Sequence, residues 1–137
     1  LKACEIRIAV YRDPVDKIIS GFYYCQKQYP HLNSLDHFLE TYQGQLKNNY
    51  VRIHCRTNTA MLGPDPSIYT HVWNINEIDT KLLPFLEQLG GGKIQKTRHH
   101  GDHPPRVITE AQKAKAKEVM AIDYQNGWCK ELIYNKI

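Results

Sequence analysis

An arginine at the end of an alternating segment, with a serine eight residues further on, forms the pair in this chain best suited to holding an anion. Residues 10–23 read VYRDPVDKIISGFY. Arg12 offers a permanent planar cation whose fork of donors matches phosphate or carboxylate oxygens, and Ser20 adds a hydroxyl donor. Between them, Asp13 and Pro14 fit the cap and first turn of a helix, whose N-terminal N–H groups attract negative charge. A phosphate at that junction would accept from guanidinium, hydroxyl and backbone together. The residues alone leave a second reading open, because an Arg-Asp-Pro turn opening a helix is also an ordinary structural device.

Other chemistry-bearing residues are more scattered. His54 and His71 are candidate acid–base groups, since a neutral imidazole near pH 7 can take a proton from a hydroxyl; packing in a loop is the competing role for both. His99, His100 and His103 with Asp102 cluster without the fixed spacing of a metal site and read as a polar loop, so no metal is expected. Gly90-Gly91-Gly92-Lys93 looks superficially like a phosphate loop, but it follows a helical pattern and no apolar helix comes after it, which makes it a helix cap and loop. Cys4, Cys25, Cys55 and Cys129 show no Cys-x-x-Cys pair and no His at finger spacing, which excludes a zinc motif and leaves reduced thiols as the expectation.

The elements that must position these groups follow from periodicity. Residues 5–11 alternate, with Ile6, Ile8 and Val10 on one face and Arg7, Ala9 and Tyr11 on the other, as in a strand. Val15, Ile18, Ile19, Phe22 and Tyr23 then repeat at helical spacing, and Ser20 falls off that stripe beside Lys17 and Tyr24. Asn33 and Ser34 announce a second helix through Leu35, Phe38, Leu39 and Tyr42, ending near Gly44. Residues 48–67, with Gly63, Pro64 and Pro66, predict a long loop with little regular structure. A short strand within residues 69–75 and a helix through Leu82, Phe85, Leu86 and Leu89 to Gly90 follow. A polar loop over residues 91–105 leads to a capping box at Thr109 and Gln112, and a last helix runs to about Tyr124. No repeat or boundary divides the chain, so residues 1–137 are read as one α/β domain.

Composition narrows the classes. With 42% hydrophobic and 23% charged residues over 137 positions, the chain has enough apolar surface for a core, which argues against disorder. No apolar run approaches the roughly 20 residues of a membrane span. The net charge of +4 suits an anionic ligand without arguing for nucleic acid. Its excess gathers at Lys93, Lys96, Arg98, Arg106, Lys113, Lys115 and Lys117, opposed there by Asp102, Glu110 and Glu118; a solvated helix face accounts for most of that run. The opening Leu1 runs straight into the strand pattern, so upstream sequence is expected.

The segment from Arg12 through Ser20 to Gly21-Phe22-Tyr23 resembles the 3′-phosphate-binding motif of the sulfotransferase family. That resemblance implies that Arg12 and Ser20 hold the 3′-phosphate of 3′-phosphoadenosine 5′-phosphosulfate, with Lys17 as the second basic residue of the helix. Residues 54–69, HCRTNTAMLGPDPSIY, are similar to the His-x-x-x-Gln-Thr-x-x-Leu-Gly loop of carbohydrate-type and bacterial members, Asn58 standing where Gln is common. Residues 71–77, HVWNINE, resemble the strand and acidic residue before the family's next helix, and Asp123-Tyr124 its closing Asp-Tyr. Lys96-Thr97-Arg98 occupies the place of the family's basic loop over the donor phosphates, with a solvated loop as its other reading.

The resemblance implies a P-loop NTPase-like three-layer sulfotransferase fold, here without the N-terminal part that carries the 5′-phosphosulfate loop and the acid–base residue. It further implies transfer of a sulfuryl group to a hydroxyl or amine of a carbohydrate or small-molecule acceptor. The location expected is cytoplasmic, or the Golgi lumen if an anchor precedes the chain. Two rivals stand beside it: a non-catalytic nucleotide-binding or interaction module derived from the same fold, and a nucleotide kinase-like phosphotransferase, which should show a Walker loop.

Overall fold

A computed structural model describes residues 5–95 and 106–129. The first regular element is strand β1, Ile8–Tyr11, shorter than the predicted 5–11. It pairs in parallel with β2, His71–Asn74, in the register Ile8↔His71 to Tyr11↔Asn74. Regular pairing begins only at Ile8 because Thr70 clasps the residue before it: Arg7 N–H donates to Thr70 Oγ1 at 2.9 Å, and Thr70 and His71 N–H both donate to the Arg7 carbonyl. Of the two faces, that of Ala9 and Tyr11 is buried, whereas Ile6 lies exposed.

Parallel strands need a crossover, and here it is helical. Helix α1, Pro14–Gln28, starts at Asp13, which occupies the cap position without its side chain capping the helix N–H groups. Its stripe of Ile18, Ile19, Phe22 and Cys25 enters the main core. Helix α2, Leu35–Glu40, is capped by Ser34, whose Oγ accepts from His37 N–H, and a single turn, α3, Tyr42–Gln45, follows. Phe38 from α2 meets Phe22 with ring centroids 5.1 Å apart. Each such side chain contributes about 1.5–3 kcal/mol on full burial.

Residues 48–67 correct the expectation of an irregular loop. They hold helix α4, Asn49–Cys55, helix α5, Asn58–Leu62, and a 3₁₀ turn, Pro66–Ile68. Each begins at a side-chain cap: Asn48 Oδ1 accepts from Tyr50 and Val51 N–H, Thr57 Oγ1 from Ala60 N–H, and Asp65 Oδ1 from Ser67 N–H. Gly63, at φ +94°, ends α5 in a conformation that favours glycine. The helices are too short to write an apolar stripe, and α4 buries only Val51 and Cys55.

Helix α4 packs against α1 so closely that a Cβ on Gly21 would lie 2.5 Å from the His54 carbonyl oxygen and 2.9 Å from Cys55 Sγ. Gly21→Ala must therefore force the two helices apart. Overpacking costs about 1–3 kcal/mol, and contact with rigid backbone puts this site at the upper end, beyond the ~1 kcal/mol of helix propensity that alanine adds. The urea midpoint should fall with an unchanged slope; a variant as stable as the parent would mean the helices do not meet there.

After β2 come a 3₁₀ turn, Ile75–Glu77, a π-helical turn, Ile78–Leu82, and helix α6, Leu83–Gly90, which stops at left-handed Gly91. The predicted capping box at Thr109 and Gln112 is formed and opens helix α7, Glu110–Val119. The single last helix predicted to reach Tyr124 is instead broken at buried Met120, beyond which α8, Ala121–Gln125, continues. A second, smaller core gathers Ala9 and Tyr11 under Trp128, whose Nε1–H donates to the Gly63 carbonyl at 2.7 Å. The described architecture is thus mostly helical around a two-stranded parallel sheet, α/β in its coarse class. Among the described residues no helix is long and apolar enough to cross a membrane.

Candidate anion-binding site

A cleft of about 410 Å³ opens where β1 hands over to α1. Arg12, Lys17, Ser20, Lys27, His54 and Arg106 supply its polar lining, and no carboxylate belongs to that lining among the described residues. The two residues singled out from spacing, Arg12 and Ser20, therefore face one space. Sequence spacing explains more of the wall: Lys17, Ser20, Tyr24 and Lys27 recur at three- and four-residue intervals and share the face of α1 opposite its buried stripe. Arg106 carried no such signal. It comes from the segment before α7 and sits with its guanidinium carbon 4.3 Å above the Tyr23 ring, a cation–π contact.

Arg12 is 36% exposed and is paired through Nε with Asp16 Oδ2 at 2.5 Å, one helical turn away. An exposed pair of this kind is worth roughly 0.2–1 kcal/mol, little enough for an incoming anion to displace. Removing the rival carboxylate with Asp16→Asn should tighten binding of a phosphate-bearing ligand about two- to fivefold. Calorimetric titration reads this directly, and unchanged or weaker affinity would show that Arg12 does not reach the ligand.

Lys17 is half-buried, with Nζ 3.9 Å from Met61 Sδ and no carboxylate within ion-pair distance among the described residues. Burial depresses its pKa below the usual 10.5; Asp123 pulls it back up, while Arg56 and Arg12 push it further down. A dianion beside it would favour the charged form. His54 is wedged between Tyr24 and Tyr50, with ring centroids 4.5 and 4.6 Å away. Burial lowers its pKa from the usual imidazole value and so favours the neutral ring. His71, the other histidine marked as an acid–base candidate, does not line the cleft. It packs on Phe85 and Trp73 and shares a hydrogen bond between Nδ1 and Thr70 Oγ1.

Beneath the cleft, buried Asn58 donates from Nδ2 to the Arg12 carbonyl at 2.8 Å. Its own N–H and that of Thr59 donate to the two carboxylate oxygens of buried Asp123 at 2.8 and 2.7 Å. Lys96, Thr97 and Arg98, marked as a phosphate-covering loop, lie outside the described residues, as do His99, His100, Asp102 and His103. No group of His, Cys, Asp or Glu that could hold a metal ion occurs among the described residues. Cys25, Cys55 and Cys129 are free thiols, Cys25 and Cys55 touching at 4.0 Å in the core. No protein-family model, curated protein or solved structure matches the chain, so the functional case rests on this basic cleft.

Proposed function

We propose that the chain belongs to a sulfotransferase dependent on 3′-phosphoadenosine 5′-phosphosulfate, and that the cleft receives the 3′-phosphate of that nucleotide. The observation that carries this reading is that Arg12 and Ser20 line one basic cleft, with Lys17 on the same helix face as Ser20 and no carboxylate in the lining among the described residues. A phosphate monoester is close to a dianion at neutral pH. The guanidinium fork, the hydroxyl and a partly dehydrated amine are donors of the number and charge such a group requires.

In this role the residues of the cleft bind and orient. Holding the nucleotide by its ribose phosphate fixes the register of the far end, where the phosphosulfate supplies an activated sulfuryl group. Transfer of that group to an acceptor hydroxyl or amine forms one oxygen–sulfur or nitrogen–sulfur bond, breaks the bond from sulfur to the 5′-phosphate oxygen so that 3′-phosphoadenosine 5′-phosphate leaves, and releases the acceptor's proton to solvent. Such reactions gain mainly from positioning and from stabilising charge on the leaving oxygens. Arg12 and Ser20 contribute the first of these. A P-loop-like three-layer fold and a carbohydrate or small-molecule acceptor complete the proposal.

The test is a comparison of two nucleotides by calorimetry. 3′-Phosphoadenosine 5′-phosphate should bind at least about tenfold more tightly than adenosine 5′-phosphate, the margin expected of one set of charge-assisted hydrogen bonds. Equal affinities, or no binding of either, would remove the 3′-phosphate site.

A further inference from the structure

We propose that Asn58, itself held by Asp123, is a positioning residue that sets where Arg12 stands at the mouth of the cleft. The nucleotide-affinity arm of its test rests on the function proposed above; the structural arm does not. Arg12 occupies the short link between the end of β1 and the start of α1, where no ladder or helical bond fixes its carbonyl. That carbonyl is pinned instead by the Asn58 side chain, reaching across 46 residues of sequence. Asn58 in turn cannot drift, because Asp123 grips the first turn of α5 with both oxygens, across 65 residues to Asn58 and 64 to Thr59. Both side chains are fully buried.

The division of labour within Asn58 is informative. Asp123 holds α5 through main-chain N–H groups, which any residue at position 58 except proline would provide. Only the side-chain amide is specific, and its recorded bond goes to Arg12. Its other end, Oδ1, is buried and has no hydrogen-bond partner among the described residues. A buried amide with one end unsatisfied costs free energy that an apolar residue of the same size would avoid. Stability alone therefore does not call for asparagine here, whereas fixing the backbone under Arg12 does. Asp123 has a further link to the same wall, since its charge is the largest of those that oppose the desolvation of Lys17.

A double-mutant cycle separates positioning from general support of the fold. Asn58→Leu should weaken 3′-phosphoadenosine 5′-phosphate about tenfold, roughly what one well-made hydrogen bond to a charged site is worth. In an Arg12→Lys background, where the fork to be aimed is gone, the same change should cost less than about twofold. An equal loss in both backgrounds, or no loss with the fold intact, overturns the proposal. The second arm needs no nucleotide: the Arg12 Nε–H signal in ¹H–¹⁵N spectra should shift on Asn58→Leu while that of Arg52 stays. If the parent protein binds no nucleotide but the Arg12 signal moves, the sulfotransferase reading falls and the positioning role stands; if the signal does not move, the positioning role falls. Should Asn58→Leu not fold, Asn58→Ser, too short to reach the Arg12 carbonyl, carries both arms.

Discussion

Arg12→Ala should weaken binding of 3′-phosphoadenosine 5′-phosphate about 10- to 100-fold while leaving the protein folded. Hydrogen bonds to charged groups contribute about 1.5–3 kcal/mol, and each 1.4 kcal/mol is tenfold in affinity. The fold should tolerate the change because, among the described residues, Arg12 forms an ion pair only with exposed Asp16, worth at most about 1 kcal/mol. Arg12→Lys keeps the charge and loses the fork, so it should recover part of the loss. Ser20→Ala removes a neutral donor and should cost less, about 0.5–1.5 kcal/mol. The cleft is open to solvent, so the Arg12 effect should shrink as salt rises. Identical affinities of parent and Arg12→Ala for this nucleotide would dispose of the anion site.

Trp128→Ala should be the most damaging substitution for stability, at about 3–5 kcal/mol. Trp128 is fully buried and meets Tyr11 and Tyr69 with ring centroids 6.2 and 6.0 Å away, besides its bond to the Gly63 carbonyl. Among the described residues it is the largest side chain packed with Ala9 and Tyr11 in this core. Against a total of roughly 5–15 kcal/mol for a domain, the loss takes a large share. Trp128→Phe should restore part of the packing but leave the Gly63 carbonyl without its donor. Urea denaturation followed by circular dichroism measures both; a cost below about 1 kcal/mol for the alanine variant would show that this core is not formed.

The junction of β1 and α1 was legible because its signals are local. Asp13 and Pro14 mark the start, the Val15-to-Tyr23 spacing gives the buried stripe, and what falls off the stripe at Ser20 and Lys17 lines the cleft. Residues 48–67 misled because Gly63, Pro64 and Pro66 are loud loop signals, while the true starts at Asn48 and Thr57 are single capping residues ahead of helices of seven and five residues. Alternation in β1 identified two faces without choosing between them. The choice is made by Trp128, more than a hundred positions away in sequence. The break at Met120 is equally non-local: α8 starts afresh there, and within it Asp123 meets the start of α5. Nothing in the sequence around Asp123-Tyr124 shows what the Asp123 carboxylate holds, because its partners at Asn58 and Thr59 lie more than sixty positions away.

The long-range bonds that surround Arg12 also constrain how the protein can be made. While the chain leaves a ribosome, α1 and α2 can form early, being local. The strand that launches Arg12 has no partner until His71–Asn74 has been synthesised, and the clamp on α5 waits for Asp123. A nascent chain halted before Asp123 would carry every basic residue of the cleft's α1 wall and still lack the carboxylate that holds the start of α5 behind the Arg12 carbonyl. Under the proposed function, ligand capture would be acquired late in translation, and fragments ending upstream of Asp123 should be targets for chaperones rather than weak binders.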